Sequence, residues 1–260
     1  MTALPRAKKS LGQHFLVDGH YIARIVAAIR PEPGDTLLEI GPGPGALTRP
    51  LLERLGHLEV VEVDRAMVAR LAEEFPGERL TIHQADALDF DFGRIVCPPG
   101  EKLRVVGNLP YNISSPLLFH LADYAAQIRD LCFMLQKEVV DRMAAAPDTA
   151  DYGRLSVMLQ SRFRVEKLFV VPPGAFRPPP KVDSAIVRLI PLPPEAIPYR
   201  DAQVFAEVVA RAFGQRRKTL RNTLKGMVEP ALFEELGIDP VRRGETLSVV
   251  EFARLANRLS

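Results

Sequence analysis

Asn108-Leu109-Pro110-Tyr111 is the stretch of this 260-residue chain best suited to chemistry. It follows an apolar run, residues 103–107 (Leu-Arg-Val-Val-Gly), that reads as a buried strand. A strand ending in an amide, a proline and an aromatic ring sets hydrogen-bond acceptors beside a flat apolar face. That set suits a planar molecule bearing an amino group, and adenine is the obvious candidate. The N6 amine of adenine is a poor nucleophile because its lone pair is delocalised into the ring. Asn108 Oδ1 and the carbonyl of Leu109 or Pro110 could accept its two hydrogens and aim the lone pair at an electrophile, while Tyr111 stacks on the base. Orientation of this kind is worth up to roughly 7–11 kcal/mol. The competing reading is an ordinary strand-terminal turn, which these residue types also favour.

A second motif supplies the electrophile. Glu39-Ile40-Gly41-Pro42-Gly43-Pro44-Gly45 falls at the first strand-to-helix turn, where alternate glycines let a ligand approach the backbone. The spacing is G-x-G-x-G rather than the dinucleotide G-x-G-x-x-G, and Pro42 and Pro44 lack the N–H groups that cradle a pyrophosphate. A ligand without phosphates fits better, and S-adenosylmethionine is one. The remaining N–H groups of the turn are expected to meet its carboxylate. Glu62 ends the next strand, 21 residues after Gly41, where an acid grips a ribose diol. Asp64 competes for that role, and spacing alone does not separate the two. Asp86 follows the third strand, where an acid could accept from an adenine amine. A substrate base must leave its stack to reach such a pocket. Phe176, held in the proline-rich stretch 171–180, is a candidate to close its second face. No metal and no covalent nucleophile is required by this chemistry.

These residues need a scaffold that delivers strand ends to one place. Strands are expected at 36–40, 58–63, 80–83, 103–106, 128–135 and 184–190. Helices are expected at 17–29, 46–55, 66–75, after Ser115 as a cap, and from Gln136. Alternating strands and helices imply an α/β fold with a parallel sheet covered on both faces, and ligands bind beyond the carboxyl ends of such strands. Residues 191–198 (Pro-Leu-Pro-Pro-Glu-Ala-Ile-Pro) read as a linker. Helical patterns at 204–213, 219–227 and 249–259 follow. The expected domains are therefore 1–190, with a basic N-terminal segment 1–18, and a small helical domain 191–260.

Composition narrows the class. No run of eighteen apolar residues exists, so a membrane span is not expected. The basic N-terminus lacks the apolar core of a signal peptide. Cys97 and Cys132 have neither framework nor metal-ligand spacing, which fits reduced thiols in a cytoplasm. The net charge is only +2, but Arg216, Arg217, Lys218, Arg221 and Lys225 cluster without an acid among them. Such a run is either a solvated helix face or a contact for a polyanion.

Taken together, the motifs resemble the KsgA/RsmA family of ribosomal RNA adenine N6-dimethyltransferases. The resemblance covers nearly the whole chain. It begins at Lys8-Lys9-Ser10-Leu11-Gly12-Gln13-His14-Phe15-Leu16, and it takes in the glycine turn, Glu62-Val63-Asp64, Gln84-Ala85-Asp86-Ala87, Asn108-Leu109-Pro110-Tyr111 and Gln136-Lys137-Glu138-Val139. It continues through Tyr152-Gly153-Arg154-Leu155-Ser156 and the run from Phe176 to Ser184. It ends in Ala212-Phe213-Gly214-Gln215-Arg216-Arg217-Lys218-Thr219-Leu220. The resemblance implies a Rossmann-like class I S-adenosylmethionine-dependent methyltransferase domain with a small C-terminal helical domain. It implies cofactor contacts at His14, Leu16, Gly41, Gly43, Glu62, Asp86, Ala87 and Asn108, with Asn108, Leu109, Pro110, Tyr111 and Phe176 around the substrate base. It implies transfer of four methyls to two adjacent adenosines in a hairpin near the 3′ end of 16S rRNA, on an immature small subunit. Nothing in the sequence asks for a dimer, so a monomer is expected. Many relatives carry Asn where His14 stands. Two rivals remain. One is an amine methyltransferase acting on DNA adenine or protein glutamine, although those often carry Asn/Asp-Pro-Pro-Tyr and here Leu109 replaces the first proline. The other is a non-catalytic RNA-binding assembly factor of the same fold.

Overall fold

Strand β2 (Leu37–Ile40) is buried at all four positions, the mark of a strand covered on both faces. It is the centre of a computed structural model that describes residues 5, 7, 8, 11–75, 77–110 and 113–260. Before it come a two-residue strand, β1 (Phe15–Leu16), and helix α1 (Gly19–Ile29), capped by the Asp18 side chain. After it the chain alternates through α2 (Thr48–Leu55), β3 (Leu58–Glu62), α3 (Arg65–Glu74), β4 (Leu80–Gln84), β5 (Leu103–Asn108), α4 (Ser114–Asp123) and β6 (Ile128–Gln136). Then follow α5 (Lys137–Ala144), α6 (Arg154–Gln160), β7 (Phe163–Val171), β8 (Phe176–Arg177) and β9 (Ser184–Pro191).

The seven-stranded sheet has the order β4-β3-β2-β5-β6-β9-β7. Strands β2 to β6 pair in parallel, whereas β9 runs antiparallel to β6, so the sheet is mixed rather than wholly parallel as expected. The winding direction reverses between β2 and β5, which opens a crevice at their carboxyl ends. Gly107 permits the close approach there: a Cβ on it would lie 2.4 Å from the Ile40 carbonyl oxygen.

Other expectations are corrected. Helix α4 starts at Ser114 with no side-chain cap, and Ser114 Oγ instead donates to the Pro110 carbonyl at 3.2 Å. The proline stretch is not only loop: Phe176 and Arg177 form β8, which pairs antiparallel with β1 in a separate ribbon. The edge strand β7 was not anticipated.

The chain divides into two compact units. One comprises Met1–Val140 and Glu166–Pro191, the other Asp141–Val165 and Leu192–Ser260. Residues 141–165, which the sequence reading placed with the first domain, thus belong to the second unit. The first unit's core packs Leu37, Leu51, Val60, Val106 and Ile186 between sheet and helices. The second is built on α7 (Ala202–Gly214), α8 (Leu220–Thr223), α9 (Pro230–Glu235) and α10 (Val249–Asn257), around Phe205, Val209, Leu220 and Phe252, with Tyr152 and Val157 joining them. Helix α8 is only four residues long where a helix over 219–227 was expected; Gly226, at φ 77°, lies past its end.

Candidate active site

The carboxyl ends of β2, β3, β4 and β5 surround one cavity of about 220 Å3, far larger than the roughly 30 Å3 of a water. Its walls are residues 11–16, 39–44, 61–63, 85–87 and 108–110, with Ala46, Leu47 and Ile113. The sequence-predicted residues His14, Leu16, Gly41, Gly43, Glu62, Asp86, Ala87, Asn108, Leu109 and Pro110 therefore meet in one place.

Glu62 and Asp64, equivalent by spacing, are not equivalent in space. Glu62 faces the cavity, and its two carboxylate oxygens each take one backbone N–H, from Gly43 at 3.2 Å and Asp64 at 2.8 Å. Each oxygen keeps further acceptor capacity for a hydroxyl. Burial raises the Glu62 pKa above its ordinary value, and those two N–H bonds temper the rise. Asp64 instead caps α3, accepting from Ala66 N at 3.0 Å, and holds Lys8 Nζ at 2.7 Å and Gln13 Nε2 at 3.1 Å. Of the two acids, Glu62 is the one that lines the cavity.

The glycine turn differs from expectation in one respect. Gly41 N–H donates to the Val61 carbonyl, Gly43 N–H to Glu62 and Gly45 N–H to the Pro42 carbonyl. All three glycine amides are thereby spent within the protein, and the turn does not offer them to a ligand carboxylate. Gly43, at φ 53°, adopts a left-handed conformation that brings its amide onto Glu62.

A second acid, Glu39, also lines the cavity, and the sequence reading did not name it as a site residue. It is 2% exposed in the middle of β2 and accepts from Thr48 Oγ1 at 2.6 Å. Burial pushes its pKa up to about 7; Thr48 lowers it and the nearby Glu62 charge raises it. Its signal was an acid inside an otherwise apolar buried strand, which has no packing use. Two buried carboxylates with raised pKa values make a cavity that favours a cation. S-adenosylmethionine, with a sulfonium and an ammonium, fits that donor set.

At the substrate end, Asn108 Nδ2 donates to the His14 carbonyl at 3.1 Å. The amide nitrogen is so employed, which leaves Oδ1 as the acceptor end of that side chain. His14 contributes its backbone to this contact, while its Nδ1 donates to the Pro178 carbonyl at 2.8 Å. Of the two backbone acceptors considered, the Pro110 carbonyl already receives Ile113 N–H and Ser114 Oγ, both at 3.2 Å. Leu109 is the one the geometry favours. Tyr111 lies outside the described residues. Phe176 departs from expectation: it is 0% exposed, pairs in register with Leu16 and belongs to the first unit's core. In this conformation its ring is enclosed in that core and presents no open face.

A family model described as ribosomal RNA adenine dimethylase matches residues 5–260. The chain belongs to that family. Among curated relatives, a ribosomal RNA small subunit methyltransferase A of Aromatoleum aromaticum is 60% identical, over 98% of this chain and 95% of the relative. One from Thiobacillus denitrificans is 58% identical, over 97% and 98%. The crystal structure of a dimethyladenosine transferase from Plasmodium falciparum superimposes with TM-score 0.80 at 26% identity, covering 93% of this chain and 96% of that one. A 23S rRNA methyltransferase, ErmE, superimposes with TM-score 0.70 at 28% identity, over 94% and 99%. The dimethylase fold is Rossmann-like, as the motifs implied.

The basic run of this dimethylase is not uniform. Arg217, Lys218, Arg221 and Lys225 are exposed. Arg216 is tied within its own unit, pairing with Glu245 at 3.0 Å and donating to the Ala150 carbonyl at 2.6 Å. Among the described residues, no group of three His, Cys, Asp or Glu side chains could hold a metal ion, and no helix is long and apolar enough to cross a membrane.

Proposed function

We infer that this chain dimethylates the N6 amines of adenosines in ribosomal RNA with S-adenosylmethionine as methyl donor. The observation that carries the reading is the Asn108 amide, oriented by the His14 carbonyl at the rim of a cavity holding two buried carboxylates. S-adenosylmethionine, when bound, supplies an electrophilic methyl and a neutral leaving group. Glu62 accepts from the ribose hydroxyls, Glu39 and Glu62 favour the cofactor's positive charge, and Asp86 and Ala87 flank its base. Leu16 and Gly41 complete the wall.

Asn108 Oδ1 and the Leu109 carbonyl accept the two amine hydrogens. This removes lone-pair density from the ring and directs it into the cavity. Tyr111 and Phe176 stand near the target base, Phe176 stacking only once its enclosed ring is uncovered. The methylated nitrogen is acidic, so its proton passes to water without a dedicated base. Preorganised polar groups aimed at charge that develops in the transition state are worth on the order of 100-fold each in rate.

The substrate we propose is a pair of adjacent adenosines in a hairpin near the 3′ end of 16S rRNA, within an immature small subunit. The relatives named for the small ribosomal subunit support it. Arg217, Lys218, Arg221 and Lys225 contact the RNA backbone, and the enzyme acts as a monomer in the cytoplasm.

Asn108→Ala is the test. Methyl transfer to immature small subunits is expected to fall by about 100-fold or more, while subunit binding in a filter assay is retained. Full activity in this variant would overturn the assignment. Methylation of naked DNA with rRNA left unmodified would replace the substrate.

A further inference from the structure

By spacing alone Asp64 is no more than a rival to Glu62. Its surroundings give it a different task. The side chain is fully enclosed, yet only the bond to Ala66 N serves the helix it caps. Its other two partners, Lys8 and Gln13, come from a segment more than fifty residues away in sequence. Lys8 and Gln13 are in turn bound to each other. Lys8 N donates to Gln13 Oε1 at 2.8 Å, and the Lys8 carbonyl accepts Leu11 N at 3.1 Å and Gln13 N at 3.4 Å.

Residues 11–14 wall the cavity, so this small knot is one end of a strap across it. The other end is fixed by backbone: β1 pairs with β8, and Val17 N–H donates to the Ala175 carbonyl at 2.9 Å. Between the two ends lies His14, whose carbonyl holds the Asn108 amide. One anchor is thus buried sheet, the other a polar contact to a lysine side chain that is 50% exposed. The backbone N–H of Asp64 also donates to Glu62 Oε1. A single residue therefore touches the acid on one side of the cavity and, through the strap, the amide on the other.

We propose that Asp64 is a positioning residue for methyl transfer: through Lys8 and Gln13 it latches the strap and so fixes the His14 carbonyl that orients the Asn108 amide. The inference rests on the methyltransferase reading for its consequence in catalysis, but the latch itself can be measured without cofactor. Lys8 is half exposed but the Asp64 carboxylate is enclosed, so breaking the pair also costs some overall stability. The latch is therefore read as faster exchange within the strap over and above any change in the melting temperature.

The experiment compares full-length Lys8→Met, Lys8→Arg, Asp64→Asn and the Lys8→Met/Asp64→Asn double variant. Without cofactor, hydrogen exchange at the amides of Leu11 and Gln13 is expected to accelerate about tenfold in Lys8→Met and Asp64→Asn, and the double variant to be no faster, as for one shared contact. Lys8→Arg restores slow exchange. The Asn108 side-chain amide resonance moves in the same variants. Binding of S-adenosylhomocysteine, followed by calorimetry, weakens about threefold to tenfold in parallel. Unchanged exchange and an unmoved Asn108 resonance in Lys8→Met would overturn the latch. So would lost S-adenosylhomocysteine binding in Asp64→Asn alone, which would make Asp64 a direct ligand. Should the wild-type protein bind no S-adenosylhomocysteine, the functional reading fails while the exchange measurements still decide the latch.

Discussion

Glu39 is the residue on which the electrostatics of the cavity turn. Folded, it keeps its proton up to about pH 7; unfolded, it releases it near 4.5. Between those values the folded state binds more protons, so this group makes stability fall as pH rises through the window and adds a constant cost above it. A displacement from 4.5 to about 7 corresponds to about 3 kcal/mol at roughly 1.4 kcal/mol per pH unit. Glu39→Gln keeps an acceptor for Thr48 and removes the titration. The cofactor-free variant is expected to be more stable than wild type by up to about 3 kcal/mol at pH 8, with no difference near pH 4.5, measured by urea unfolding across pH. Cofactor affinity should fall in the same variant, since a neutral amide no longer balances a positive ligand. Much of the site was legible in the residues themselves. Glu62 and Asn108 end strands and Asp86 follows one, and strand ends converge in this class of sheet. What stayed hidden depended on which groups the folded chain pairs: the glycine amides spent on Val61, Glu62 and Pro42, the local bonds from Ile113 and Ser114 to Pro110, and the long-range contacts of Lys8 and Gln13 that separate Asp64 from Glu62.

At the scale of elements, the crevice depends on β2 and β5 lying close enough for their carboxyl ends to share one cavity. Gly107 sits opposite Ile40 in that pairing. A methyl group at 107 would meet the Ile40 carbonyl oxygen at 2.4 Å and Leu109 Cδ2 at 3.2 Å, and the first of these is backbone that has no rotamer to yield. Gly107→Ala is expected to destabilise the protein by about 1–3 kcal/mol, the usual cost of overpacking, seen as a lower urea midpoint at unchanged slope. Because Asn108 is the next residue, activity should fall further than the lost stability explains. The parallel core of the fold was readable because short, mainly apolar runs alternate with helical patterns, even where Glu39, Glu59 and Arg104 interrupt them. Strand β7 was not, since Arg164, Glu166 and Lys167 interrupt it and its burial alternates irregularly. The antiparallel return of β9 and the β1–β8 ribbon depend on pairing partners, which local pattern does not encode.

Over the whole molecule, a net charge of +2 leaves RNA attraction to local clusters rather than to the overall field. The sequence presents 216–225 as one basic run, but the second unit uses its members differently. Arg216 spends its guanidinium on Glu245 and the Ala150 carbonyl, contacts that brace the loop between α5 and α6 against the turn before α10. Arg217, Lys218, Arg221 and Lys225 are exposed. Each phosphate contact adds a counterion-release contribution of roughly one to the slope of log affinity against log salt. Replacing Arg217, Lys218 and Arg221 together by alanine is therefore expected to reduce that slope by about two to three and to weaken binding most at low salt. Arg216→Ala should instead leave the slope nearly unchanged and loosen the 145–152 segment, visible as faster hydrogen exchange at the Asp148 amide, which donates to the Glu245 carbonyl at 2.8 Å. Titrating rRNA binding against salt for both variants separates the two uses of the run. An equal loss of slope from Arg216→Ala would return that residue to the RNA contact surface, and an unchanged slope in the triple variant would make the whole run a solvated face.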